Sequence, residues 1–127
     1  IASGWGIGRR AREATESKKS LMIEMAGALD AIDARIVYAA ADKGDEAAQK
    51  ILNETCQTLG IAISNVIALL HPERVILGGG VSLMGPLFWN TLRSEVAART
   101  MPSFIPSVEV VKAELGEDVV VIGALCL

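Results

Sequence analysis

Three consecutive glycines after a short apolar run are the residues of this chain that best suit the binding of a ligand. The run at 75–77 predicts a buried strand, and Gly78, Gly79 and Gly80 leave the turn after it without side chains. Open α/β sheets bind ligands at the carboxyl ends of their strands, so a nucleotide could lie against this main chain, with the Ser82 hydroxyl beside it. The alternative is an ordinary turn between a strand and a helix, in which glycine serves only a positive φ.

The better-known phosphate-binding signatures do not describe this turn. No third glycine follows Gly78 and Gly80 at the spacing of the Rossmann fingerprint, and no GK[ST] sequence of a P-loop occurs in the chain. A nucleotide that binds at this turn must therefore be held in another way.

A second glycine cluster, Gly4, Gly6 and Gly8, is followed directly by Arg9 and Arg10. It could be a cationic helix start beside a phosphate, because helix N-termini favour anions. Alternatively, Arg9, Arg10 and Arg12 form a solvated basic face on a helix whose glycines allow close packing. We favour the second interpretation, since no strand precedes the cluster in this chain.

Outside the two glycine clusters, the titratable side chains form no pattern that is typical of a catalytic or a metal site. His71, the single histidine, lies between a helix end and a proline, where we expect it to cap carbonyl groups. Cys56 and Cys126 lack the CxxC spacing that is typical of a zinc site. Most aspartates suit helix caps, and Glu117 with Asp118 suits either a cap or one wall of a ligand cleft.

The composition fits one packed domain over residues 1–127, with 51% hydrophobic and 21% charged residues. A net charge of −3 gives no electrostatic footprint for nucleic acid or for a membrane surface, so we expect neither partner. The sparse cysteines predict a reduced, cytoplasmic setting. The chain lacks an initiator Met and ends inside an apolar run, and we therefore expect it to be part of a longer chain.

The order of the predicted elements indicates an α/β fold in which helices pack on a small, mainly parallel sheet. Strands are expected at 74–78 and 107–113, and a polar turn at 15–20. Helices are expected at 3–14, 21–28, from Asp30 or Asp33 to 42, 45–70, 86–99 and from 117 onward.

The longest predicted helix, 45–70, carries an apolar stripe at spacings of three and four. The stripe consists of Ala48, Leu52, Thr55, Leu59, Ala62, Val66 and Leu70. Beyond Leu59 nearly every position is apolar, so we expect this half to be buried on several sides. Gly60 costs about 1 kcal/mol relative to Ala inside a helix, which suits a place where another backbone packs closely.

Four segments together resemble the C-terminal part of the ROK family (repressor, open reading frame, kinase), whose members are sugar kinases and related repressors. The start at 1–10 is similar to the family's ASG…I…R helix, and 59–72 to its LGxxxxNxxxLLxP helix. Segment 73–82 is similar to its strand-plus-glycine adenosine motif, and 116–127 to its closing G…D…xGAAxLA helix. These segments follow the family's order and span nearly the whole chain.

The resemblance implies a portion of an actin-like, ribonuclease-H-like ATPase domain that forms the nucleotide side of a sugar kinase. By the family's pattern, the residues along ATP are Gly78, Gly79, Gly80, Val81 and Ser82. The family transfers a phosphoryl group from ATP to a hexose or N-acetylhexosamine with the help of Mg²⁺. Its members commonly self-associate, so we expect a homodimer or a larger assembly.

The resemblance also implies what this chain lacks. The family's N-terminal DxG phosphate loop, catalytic aspartate, sugar-binding ExGH and zinc-binding CxCGxxGCxE have no counterpart here, because all of them lie upstream of this segment. We therefore expect no catalysis by these residues alone, and structural zinc only upstream. The alternative is the sensor portion of a ROK-type, sugar-responsive transcriptional repressor, whose DNA-binding segment would also lie upstream.

Overall fold

Five α-helices and two short strands make up the part of the chain that the computed structural model describes, residues 3–15 and 20–115. In chain order they are α1 (Gly4–Thr15), α2 (Leu21–Ala26), α3 (Ala34–Asp42), α4 (Glu46–Leu70), β1 (Arg74–Leu77), α5 (Pro86–Arg99) and β2 (Glu109–Lys112). Short 3₁₀ turns occur at Leu29–Ala31, Gly80–Leu83 and Ile105–Ser107. The helix predicted from Glu117 and most of the turn predicted at 15–20 lie outside the described residues.

Aspartate caps set the starts of the two central helices. Asp33 Oδ1 accepts a hydrogen bond from the Ile36 N–H at 2.9 Å, so Asp33 and not Asp30 begins α3. Asp45 Oδ1 accepts from the Ala48 N–H at 2.9 Å and begins α4. Its Oδ2 accepts from the Ser20 hydroxyl and the Leu21 N–H, each at 2.9 Å, and so joins the start of α2 to the start of α4.

The two strands lie side by side in parallel, as predicted, with Val75 opposite Val110 and Leu77 opposite Lys112. Helix α5 connects them and lies between them in sequence, as a parallel pair requires. Val110 is buried, whereas Ile76 is exposed, so the face that carries Val110 is the one that packs on the helices. The expectation that β1 is a buried strand is therefore wrong for the described residues, in which Val75 and Leu77 are only half-buried and Ile76 has no element packed over it.

Helix α4 is the central element, because α1, α3 and α5 all pack against it. Its buried residues are Ala48, Ile51, Leu52, Thr55, Cys56, Gly60, Ile63, Ser64 and Ile67. The predicted stripe is therefore right as far as Thr55 but wrong in the second half, where Ala62, Val66 and Leu70 are exposed. The buried face turns toward Gly60 because α5 packs there. A Cβ on Gly60 would lie 2.9 Å from the Glu95 Cβ, which confirms the expected close approach of a second backbone.

The expectation that the second half of α4 is buried on several sides is also wrong for the described residues. Ile61, Val66, Leu69 and Leu70 are exposed, with Leu69 the most open at 79%. One side of this half packs on α5, and the opposite side forms an uncharged apolar face. Even so, no helix among the described residues is long and apolar enough to cross a membrane.

His71 ends α4 through its backbone. It takes a left-handed conformation with φ 46°, and its N–H donates to the Ile67 carbonyl at 3.0 Å. The imidazole packs edge-on against Phe104, with the ring centroids 4.6 Å apart. The predicted cap is thus the His71 main chain, and its side chain contacts the segment before β2.

Candidate functional site

The glycine turn begins directly after β1 and has one conformation that only glycine adopts readily. Gly79 has φ 78° and ψ −173°, a region that is essentially closed to other residues. No atom lies within 4 Å of where its Cβ would be, so the main chain of Gly79 borders open space. The positive φ of Gly79 fits the interpretation as an ordinary turn. Its bare main chain also fits the interpretation as a ligand-binding surface, so the two interpretations are compatible.

Two groups of the following 3₁₀ turn hold this conformation. The Ser82 N–H donates to the Gly79 carbonyl at 2.9 Å, and the Ser82 hydroxyl donates to the same oxygen at 2.7 Å. Ser82 and Val81 are both buried. In this structure Ser82 therefore fixes the turn from behind, and the surface of the turn consists of the three glycines.

The start of α1 reaches the same place from the other end of the chain. The Ser3 hydroxyl caps the helix by accepting from the Gly6 N–H at 3.1 Å. Gly8 is buried, and a Cβ on it would lie only 2.9 Å from the Ile32 carbonyl oxygen. The Arg12 guanidinium donates to that same oxygen at 2.9 Å. The glycines thus let α1 lie directly against the backbone that leads into α3.

A cleft runs between these two glycine clusters in two connected hollows. The first, of about 200 Å³, is lined by Ser3, Gly4, Leu59, Leu77, Gly78, Gly79, Gly80 and Val81. The second, of about 400 Å³, is lined by Gly4, Trp5, Gly8, Arg12, Ile32, Asp33, Ala34, Arg35, Gly80 and Leu83. Gly4 and Gly80 border both hollows, so the two clusters that are far apart in sequence form one site.

The basic residues of α1 divide between this cleft and the surface. Arg9 lies 3.6 Å from Glu13, and Arg10 pairs with Glu54 of α4. Neither lines the cleft. The expected solvated basic face is correct for Arg9, which is exposed, but wrong for Arg10, which is half-buried in its contact with Glu54. It is also wrong for Arg12, which lines the cleft and donates to the Ile32 carbonyl.

The charged groups of the cleft already have partners within the chain. Burial raises the pKa of Asp33. The hydrogen bond from the Ile36 N–H and the contact with the Arg35 guanidinium together lower it by more, so the pKa lies below its ordinary value. Arg35 contacts the Asp33 carboxylate at 2.9 Å. Asp33 is therefore ionised at neutral pH and already engaged by hydrogen bonds. It is poorly suited to act as a general base, so the arrangement favours binding over proton transfer.

No metal-binding cluster of three or more His, Cys, Asp or Glu residues occurs among residues 3–15 and 20–115. Cys56 is buried in the contact between α4 and α5. Burial, and then the charge of Glu95, raise the pKa of its thiol to about 12. It is therefore not available as a nucleophile at neutral pH.

A larger hollow, of about 440 Å³, lies between α5 and β2. Its walls come mainly from apolar residues such as Val96, Ile105, Val108 and Val110. It also has polar groups, from Arg93, Thr100 and Glu109, but it shares no residue with the glycine turn. The cleft at the glycine turn is the better candidate site because its two hollows, each smaller than this one, bring together the two glycine clusters of the sequence.

Helices packed on parallel strands that end in a glycine-lined cleft are found in the actin-like fold, and comparison with solved structures shows the same class. The structure superposes on a ROK family glucokinase from Streptomyces griseus, in complex with glucose and AMPPNP, with a TM-score of 0.80. The identity is 26%, and the match covers 96% of this chain and 41% of that one. The sequence profile of the ROK family matches residues 1–127, and the chain belongs to that family.

Two curated relatives show the range of the family. Glucokinase of Thermotoga maritima is 36% identical over 125 residues, which are 98% of this chain and 39% of the relative. A xylose repressor of Caldicellulosiruptor bescii is 25% identical over 99 residues, which are 78% of this chain and 25% of the repressor. The chain thus spans about two fifths of the glucokinase that it matches.

Proposed function

We propose that residues 1–127 form the adenosine side of the nucleotide site of an ATP-dependent sugar kinase of the glucokinase type. The whole protein would transfer a phosphoryl group from ATP to a hexose or an N-acetylhexosamine. Mg²⁺, the sugar and the catalytic base would be held by residues outside this sequence. Phosphoryl transfer depends mostly on positioning and charge stabilisation, so a portion that only positions ATP contributes directly to the rate.

The observation that carries the proposal is the convergence of the α1 start and the glycine turn on one cleft. The main chain of Gly78, Gly79 and Gly80 can approach a ribose and phosphates without side-chain obstruction. The adjoining hollow beyond Gly80 gives room for the rest of the nucleotide, and the Asp33 carboxylate in it offsets the charge of Arg35, so its net positive charge comes from Arg12. The higher identity and fuller coverage of the glucokinase favour a kinase over a repressor.

An assay of ADP release tests this proposal directly. The protein, in the longest form that its gene encodes, is mixed with Mg²⁺, ATP and glucose, and then with other hexoses and N-acetylhexosamines. We expect ADP release that requires both Mg²⁺ and one of these sugars. A protein that binds ATP with no sugar-dependent release, or that fails to bind ATP in a calorimeter, would overturn the proposal.

The xylose repressor among the relatives favours a second candidate, the sensor portion of a sugar-responsive repressor. The two functions differ in what the sugar does. In a repressor the sugar changes DNA affinity and is recovered unchanged, whereas in a kinase it is recovered as a phosphate ester. A mobility-shift assay with DNA from the gene's own promoter, with and without sugar, separates them.

We also propose that the protein self-associates. The exposed side of α4 near Leu69 carries no charged residue between Glu54 and Glu73, and an apolar face of this kind favours association. Light scattering should give a mass of at least a dimer for the protein, and L69D should reduce it. A monomer that L69D leaves unchanged would contradict this proposal.

A further inference from the structure

Trp5 is exposed to a degree that is unusual for the largest aromatic side chain. Only 7% of Trp89, the second of the two tryptophans, is accessible, whereas 71% of Trp5 is. Scattered exposed apolar residues need no explanation. Trp5, however, lines the cleft together with Leu83, which is itself 53% exposed, so two large apolar side chains border one hollow.

The indole of Trp5 is held from one side by its own helix. The Arg9 guanidinium lies over the ring, 5.4 Å from the centroid, and Arg9 is in turn paired with Glu13. Arg9 does not line the cleft, whereas Trp5 does. Arg9 therefore covers part of the indole, and 71% of Trp5 stays accessible beside the hollow that it lines.

We propose that Trp5 is the surface on which the base of the nucleotide stacks, with Leu83 as the opposing apolar wall. The inference rests on the proposed nucleotide site and adds a residue to it. Gly80 borders both hollows, so a nucleotide with its base on Trp5 has its ribose and phosphates along the glycine turn. Every base has a flat π-face, so stacking of this kind contributes affinity and tolerates different bases.

The proposal assigns the base and the phosphates of the ligand to different residues, and two probe ligands test these contributions separately. ATP carries the base, whereas inorganic tripolyphosphate carries only the charged end. We expect W5A to weaken ATP binding about 10- to 100-fold, since stacking on an aromatic side chain contributes that much per base. We expect tripolyphosphate affinity to stay the same, and W5F, which keeps an aromatic surface, to retain most of the affinity for ATP.

Fluorescence gives a readout that a general loss of stability would not reproduce. Within residues 1–127, W89F keeps only Trp5 and W5F keeps only the buried Trp89, so the difference between the two variants isolates the emission of Trp5. ATP should quench or shift the emission of W89F, while tripolyphosphate should not. The emission of W5F should respond to neither ligand.

The outcomes distinguish this inference from the function on which it rests. If W5A binds ATP as tightly as the unsubstituted protein does, or if ATP leaves the emission of W89F unchanged, Trp5 is not the stacking surface and the nucleotide site survives. If the unsubstituted protein binds no ATP, both proposals fail. If W5A loses tripolyphosphate and ATP equally, Trp5 supports the fold of the cleft and does not contact the base.

Discussion

Gly60 of α4 and Glu95 of α5 approach so closely that a Cβ on Gly60 would lie 2.9 Å from the Glu95 Cβ and 3.2 Å from its carbonyl carbon. Helix propensity alone favours G60A by about 1 kcal/mol, but separating two packed helices costs roughly 1–3 kcal/mol. These opposing terms leave a net loss in the free energy of unfolding of up to about 2 kcal/mol for G60A in urea. N65A, an exposed change in the same helix, is the control. A G60A variant that is more stable than the unsubstituted protein by the full helix-propensity gain of about 1 kcal/mol would show that α5 can shift freely.

The backbone conformation of Gly79 predicts a contrast with its neighbour Gly78. Alanine at Gly79 meets no atom but must take a φ of 78°, which costs of order 1–3 kcal/mol. Gly78 has no positive φ, so G78A should leave the stability nearly unchanged. Both variants place a methyl group at the cleft and should weaken ATP binding. Chemical denaturation and calorimetry on the two variants test this, and equal stabilities would contradict the strained turn.

The pH dependence of stability should depend on Asp45. Burial raises the pKa of this carboxyl group. The hydrogen bonds from Ala48, Ser20 and Leu21 together lower it by more, so the pKa lies below its ordinary value. A lowered pKa in the folded state means that the stabilisation is full above the unfolded pKa of about 4 and is lost as the pH falls through the folded value. D45A should therefore cost about 1–2 kcal/mol at pH 7 and progressively less below pH 4.

Urea unfolding of D45A beside the unsubstituted protein, from pH 7 to pH 3, measures this difference. D42A is the matched control, because Asp42 is exposed at the C-terminus of α3 and caps no helix start. A difference for D45A that stays constant down to pH 3 would exclude the charged carboxylate as its source.

The thiol of Cys56 should report on unfolding. Burial, and then the charge of Glu95, raise its pKa to about 12, and the side chain has no exposed surface. C126S leaves Cys56 as the one cysteine of residues 1–127, and we expect mass spectrometry to find no label on the Cys56 peptide at pH 8 until the protein unfolds. The rate should rise with urea in step with circular dichroism. Rapid labelling without urea would show that α4 and α5 separate in the native state.

Local signals account for most of the helix starts and ends. Aspartate before an apolar run predicted the starts at Asp33 and Asp45, and Pro86 predicted the start of α5. A run that is apolar on all sides gives no such guidance. Beyond Leu59 of α4 the sequence allowed any face to be buried, and only the packing of α5 at Gly60 selects one.

The glycine turn of the candidate site could be predicted from the sequence, but its neighbours in space could not. The glycine turn is a local feature and is visible in the sequence, although the use of Ser82 to hold the turn is not. Gly4 and the turn line one hollow although they lie far apart in the chain, and no local pattern records such a juxtaposition. The glycines at the start of α1 were a signal of close packing, but they did not reveal the partner.

The distance in sequence between the two sides of the cleft affects how the site is made during synthesis. A growing chain releases α1 before β1, and α2, α3 and α4 separate them in sequence. Both hollows are lined only by residues up to Leu83, so the two sides of the cleft can meet once Leu83 has left the ribosome. Assembly of the cleft can therefore precede the synthesis of α5 and the pairing of β1 with β2.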